Sequence, residues 1–142
     1  VKECAAVSYN EKVRPLKSVE APKPPRRVFV RDLVLDAEIG VHAHEKNRRQ
    51  RVRLNVDVRA IEDTTPVNDQ LQNVVCYENI VDGIKTILEN GHINLVESLA
   101  EAIAAFILDD PRVLKVNVSV EKLDAIPEAA SVGVEIERNR DS

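Results

Sequence analysis

A chain of 142 residues, 44% hydrophobic and 31% charged, is sized for one soluble domain. No apolar run approaches the roughly 18 residues a bilayer crossing needs, and the two cysteines, Cys4 and Cys76, stand too far apart for a disulfide framework or a zinc-ligand spacing. A reducing, cytoplasmic compartment is therefore expected, with no membrane partner. The net charge of −4 is uneven, with +4 over residues 1–27 and −8 over the rest, and an acidic body with 3% aromatic residues gives no reason to expect a nucleic-acid partner.

Residues 1–27 read as a flexible N-terminal arm. Four of the seven prolines fall there (Pro15, Pro22, Pro24, Pro25) and no hydrophobic period is sustained. The domain is expected over residues 28–139. Val28, Val30, Leu33 and Leu35 mark a first strand whose alternation breaks near Asp32, as a bulge would make it do. Residues 36–49 form a connection that turns basic. Val52, Leu54, Val56 and Val58 then alternate with Arg51, Arg53, Asn55 and Asp57, which predicts a strand with one wet face.

After a polar stretch, Ile80, Val81, Ile84, Ile87 and Leu88 give the stripe of an amphipathic helix that Gly91 ends. Leu95, Val96, Leu99, Ala102, Ile103, Phe106 and Ile107 give a second stripe, stopped at Asp109-Asp110-Pro111. Val116, Val118 and Val120, and later Val132, Val134 and Ile136, alternate as two further strands. The order β-β-α-α-β-β predicts an α+β domain with a four-stranded antiparallel sheet and two helices on one face. Its open edges predict association with further copies, since exposed edges of this length are normally paired or covered.

Several side chains could carry chemistry, and each also has a plain structural reading. Glu45 lies in a His-rich, basic loop, where it is either a working carboxylate or a solvated acid paired with Arg48 or Arg49. His42 and His44 sit at His-x-His spacing, which suits zinc only if the distant His92 closes the site; no metal site is expected. Tyr77 opens the first helix, where an oriented phenol could move a proton. Glu97 follows Asn94 by three, the spacing of a capping box, and the same carboxylate could instead take the two N–H groups of an amidine-like ligand edge. Lys122 ends the third strand as an anchor or proton carrier. Neither a glycine-rich phosphate loop nor a nucleophile elbow is present.

These scattered signals fall in the order of a known family. Ile39-Gly40-Val41 leading to Glu45 and Gln50, Val75-Cys76-Tyr77, Ile93-Asn94-Leu95-Val96-Glu97-Ser98-Leu99-Ala100-Glu101, Lys122, and Ser131-Val132-Gly133-Val134-Glu135-Ile136-Glu137-Arg138 together resemble the dihydroneopterin aldolases. The resemblance implies the tunnelling fold, a homo-oligomer (tetramer or octamer) with sites between subunits, and a pterin substrate cleaved without a cofactor. It also implies roles. Glu97 would anchor the pterin, with Leu95 and Val96 lining its pocket. Glu45 and Lys122 would manage the side-chain hydroxyl proton, and Tyr77 of a neighbouring subunit the proton at carbon. The run Lys122-Leu123-Asp124-Ala125-Ile126-Pro127-Glu128 departs from the family's usual Lys-Pro-x-x-Pro-Ile-Pro-Gly. It leans towards a sister family, the dihydroneopterin triphosphate epimerases, for whose substrate Arg48, Arg49 and Arg51 are candidate phosphate-binding cations.

Overall fold

The computed structural model describes residues 24–62 and 66–140. Strand β1 runs Arg26–Ala37, β2 Gln50–Ala60, helix α1 Tyr77–Glu89, α2 Val96–Leu108, β3 Val113–Lys122 and β4 Val132–Asn139. The sheet order is β1-β2-β3-β4, every pair antiparallel, with both helices inserted between β2 and β3. The arm expected over residues 1–27 lies outside the described residues as far as residue 23. Its last two residues are corrected by the structure: Arg26 and Arg27 already belong to β1. Charge explains why they extend the strand, because Arg26 pairs with Glu62 and Arg27 with Asp57, each at 2.6 Å.

The alternation in β2 resolves into two faces. Val52, Leu54, Val56 and Val58 are buried beneath the helices beside Val116, Val118 and Val120 of β3. From the helical side come Ile80, Ile84 and Leu88 of α1, four residues apart, and Leu99, Ala100, Ile103, Ala104 and Ile107 of α2. The break in β1 is a bulge. Register shifts between Val30 and Leu33, and Asp32 adopts φ +57°, a left-handed conformation that a short polar residue tolerates. Asn55 across the ladder stabilises it, its Oδ1 accepting from the Asp32 amide at 2.8 Å.

Phe106 departs from the expected stripe. It lies at the edge of α2's apolar face, 41% exposed, with its ring over Gly83 of α1; a Cβ at Gly83 would stand 2.1 Å from that ring. The glycine lets the helices meet there.

Two helices cannot cover four strands. The inward apolar side chains of β2 and β3 are fully buried, while Val28, Val30, Leu33 and Leu35 of β1 and Val134 and Ile136 of β4 remain half-buried. Among the described residues both outer strands thus combine incomplete apolar cover with an unpaired backbone edge. Among the described residues, no helix is long and apolar enough to cross a membrane.

Candidate active site

At the end of the sheet where β1 finishes and β2 begins, the chain folds back on itself. Ile39 forms an isolated parallel bridge with Ile93: Gly40 N donates to Ile93 O and Ile93 N to Glu38 O, each at 2.9 Å. The His92 ring nitrogen Nε2 lies 2.7 Å from Gly40 O, and Lys46 Nζ donates to Asn94 Oδ1 at 2.5 Å. These bonds stitch the loop after β1 to the segment that leads into α2. Residues that are about fifty positions apart in sequence become neighbours.

Within this knot Glu45 ends a short 3-10 turn, Ala43–Glu45, and points inward. Gly40 makes room for it. Gly40 has φ +133°, and a Cβ there would sit 2.2 Å from the Glu45 carboxyl carbon. An alanine would be strained at that φ and would also displace the carboxylate.

Glu45 is 4% exposed. Its Oε2 accepts from Lys122 Nζ at 2.7 Å and from Gln50 Nε2 at 3.0 Å. Among the described residues its Oε1 accepts only a long contact, 3.3 Å, from the His42 amide. Lys122 reaches the carboxylate because β3 pairs it with Val52, two residues beyond Gln50 and on the same inward face. Burial alone would push the Glu45 pKa up. Hydrogen bonds from Lys122, Gln50 and the His42 amide, together with the Lys122 charge, outweigh it and hold the group at about 2. Glu45 is therefore ionised at neutral pH and is a weak base for as long as the lysine stays on it.

The loop-acid alternative for Glu45 is thus removed: its partner is Lys122, seventy-seven residues downstream, while Arg49 donates to Asp36 O at 3.1 Å. The capping-box alternative for Glu97 is removed as well. Leu95 is the N-cap of α2 and makes no side-chain cap, while Asn94 is taken by Lys46. Glu97 stands exposed in the first turn, where the helix dipole favours a carboxylate. Leu95 is 45% exposed beside it and Val96 half-buried.

Tyr77 is elsewhere. It is 63% exposed at the start of α1, and that end of the helix meets the beginning of β3. A cleft of ≈ 490 Å³ brings Val75, Cys76 and Asn79 together with Asp110, Pro111 and Arg112. Lys122 closes the same strand ten residues on, a run of roughly 30 Å. One chain therefore does not bring Tyr77 to its own Glu45 and Lys122.

The histidines do not gather. His42 and His44 stack with centroids 5.7 Å apart, and His92 is engaged with Gly40. Among the described residues no three His, Cys, Asp or Glu side chains are grouped to hold a metal ion. The three-histidine zinc arrangement is not formed.

Gln50 is the site residue that residue types alone did not single out. It looks like the polar end of a basic run, and only its inward register with Val52, Leu54 and Val56 could have indicated burial.

The four-stranded antiparallel sheet with two helices on one face is the protomer of the tunnelling fold. Comparison with known proteins takes the assignment further. The family described as "Dihydroneopterin aldolase" matches residues 28–137, and the chain belongs to that family. A dihydroneopterin aldolase from Burkholderia thailandensis, solved bound to guanine, is similar at 38% identity and TM-score 0.72, covering 82% of this chain and 92% of its own. The Escherichia coli dihydroneopterin aldolase solved with neopterin is similar at 26% identity and TM-score 0.74, covering 80% and 99%. A dihydroneopterin triphosphate 2′-epimerase from Pseudomonas aeruginosa is 28% identical over 80% of this chain and 93% of its own length.

Proposed function

We propose that this protein cleaves 7,8-dihydroneopterin between C1′ and C2′, giving 6-hydroxymethyl-7,8-dihydropterin and glycolaldehyde, a step of folate biosynthesis. The observation that carries this reading is the buried Glu45–Lys122 pair at 2.7 Å, set beside the segment that launches α2 and Glu97. Glu97 takes the 2-amino group and the adjacent ring N–H of the pterin in a two-point, charge-assisted contact. Guanine and neopterin, found in the two solved relatives, present that same edge. Leu95 and Val96 flank the ring.

The side chain of the substrate then lies towards Lys122 and Glu45. The 2′-hydroxyl approaches the carboxylate, Lys122 turns from Oε2 to the hydroxyl oxygen, and the proton passes to Glu45 as its basicity recovers. The C1′–C2′ bond breaks, glycolaldehyde leaves, and the bonding electrons enter the N5=C6 imine to give an enamine. Tyr77 of a neighbouring subunit delivers the proton to the enamine carbon. Because the dihydropterin is its own electron sink, the bond cleavage asks for neither a Schiff base nor a cofactor. The exposed position of Tyr77 and the half-covered edges of β1 and β4 support a homo-oligomer, tetramer or octamer, with each site shared between subunits.

The alternative is epimerisation at C2′, in which glycolaldehyde re-adds to the opposite face before it escapes. For a triphosphate substrate two of the three candidate cations are engaged elsewhere: Arg51 is held by Asp124 at 3.0 and 2.7 Å, and Arg49 by the Asp36 carbonyl. This favours the unphosphorylated pterin. The test is to treat the protein with chelator, supply 7,8-dihydroneopterin or its triphosphate, and quantify glycolaldehyde and the 2′ epimer. Glycolaldehyde as the main product from dihydroneopterin is the expected result; epimer alone, or turnover of the triphosphate alone, would overturn the assignment.

A further inference from the structure

Gln50 opens β2 with its side chain 5% exposed. Its amide nitrogen donates twice, to Ile39 O at 2.6 Å and to Glu45 Oε2 at 3.0 Å. Its amide oxygen is buried and, among the described residues, has no hydrogen-bond partner. Turning the amide over would set that oxygen against a carbonyl and a carboxylate, so the orientation is fixed by its two acceptors. A buried carbonyl without a partner costs stability. The two bonds from the amide nitrogen offset that cost, and what the amide does is aim two N–H groups.

The second of those groups makes the Glu45 carboxylate asymmetric. Oε2 carries both Gln50 and Lys122, while Oε1 has, among the described residues, only the 3.3 Å contact from the His42 amide. The Ile39 carbonyl on the far side of the amide belongs to the bridge that ties this loop to the start of α2. Gln50 thus links the carboxylate to the part of the backbone that sets where Glu97 stands.

We infer that Gln50 is a positioning residue of the Glu45–Lys122 pair: it clamps Oε2 to the Ile39 carbonyl through one amide and leaves Oε1 as the oxygen that takes the substrate hydroxyl proton. The proton transfer rests on the proposed cleavage; the clamp on Glu45 does not. Gln50 is also one of the groups that hold the Glu45 carboxylate ionised. Its loss lets the carboxyl group titrate at higher pH and turn away from the substrate.

The experiment compares wild type with Gln50→Met and Gln50→Glu. Glu45 titration is followed by carboxyl-carbon NMR, assigned with Glu45→Gln, and kcat and KM are measured for dihydroneopterin. Gln50→Met is expected to raise the Glu45 midpoint by about one pH unit, the size of one hydrogen bond to a charged group. Gln50→Glu shifts it further, because a second carboxylate then faces the first. The kcat falls roughly 10- to 100-fold through misplacement of the base, with KM within about twofold of wild type. Gln50→Glu keeps the shape and carries the test should the methionine variant fail to fold. An unmoved Glu45 titration in the folded variants overturns the inference. So does a moved titration with unchanged kcat, which would assign the proton to another group. If wild type does not cleave dihydroneopterin, the functional reading fails while the titration still decides whether Gln50 holds Glu45.

Discussion

Lys122→Ala is expected to slow cleavage by about three orders of magnitude, within the range for losing a positioned proton-transfer group, and to reverse the pH dependence of stability below neutrality. In the intact protein Glu45 sits at about 2 against an ordinary 4.5. A depressed carboxyl contributes stability that is fully present above 4.5 and is lost as pH falls from there towards 2. The shift corresponds to about 3 kcal/mol. Without Lys122 the largest opposing contribution, burial, is no longer outweighed, and the folded-state pKa rises. Removing one member of a buried pair costs about 3–5 kcal/mol at neutral pH. In that variant stability should improve on mild acidification, as Glu45 takes up a proton, where wild type holds steady down to about pH 4.5 and weakens only below it. Urea unfolding at pH 7, pH 5 and pH 3.5, beside a glycolaldehyde assay, reads both effects. A variant as stable as wild type at pH 7, with the same acid limb, would show that the pair does not hold Glu45 ionised.

Glu97→Ala should act on binding. Two charge-assisted hydrogen bonds lost together correspond to about 3 kcal/mol, or roughly a hundredfold in affinity. The folded protein should change little, because Glu97 is exposed and caps nothing; only the favourable interaction with the α2 dipole, about 0.5 kcal/mol, disappears. A fluorescence titration with a non-cleaved pterin such as neopterin measures this directly, and guanine should lose affinity in parallel. Unchanged affinity for both would remove Glu97 from the pterin site.

The elements were legible in the sequence because each rests on a local period. Val52 to Val58 alternates, Ile80, Ile84 and Leu88 recur every four residues, and the broken alternation at Asp32 located a bulge from one misplaced residue. The site was legible only in part, because what makes it a site is not local. Glu45 looks solvated among Lys46, Arg48 and Arg49, yet Gly40 gives it space beneath the loop and Lys122 arrives from another strand. Asn94 and Glu97 have capping-box spacing, but Lys46 claims the asparagine first, so the helix starts one residue later and Glu97 stands outside any cap. Tyr77 cannot be placed from one chain at all. The helix that presents it runs from the far end of the sheet, and a neighbouring subunit is its proposed destination.

That division of labour yields the most direct measurement. Lys122→Ala and Tyr77→Phe proteins, each with little cleavage of dihydroneopterin alone, are mixed, dissociated and reassociated, and glycolaldehyde release is followed. Where Lys122 and Tyr77 come from different subunits, random mixing at equal amounts restores both to about one site in four by the symmetry of the assembly, and activity should return to roughly a quarter of wild type. Mixed oligomers that form and stay inactive would contradict a site shared between subunits.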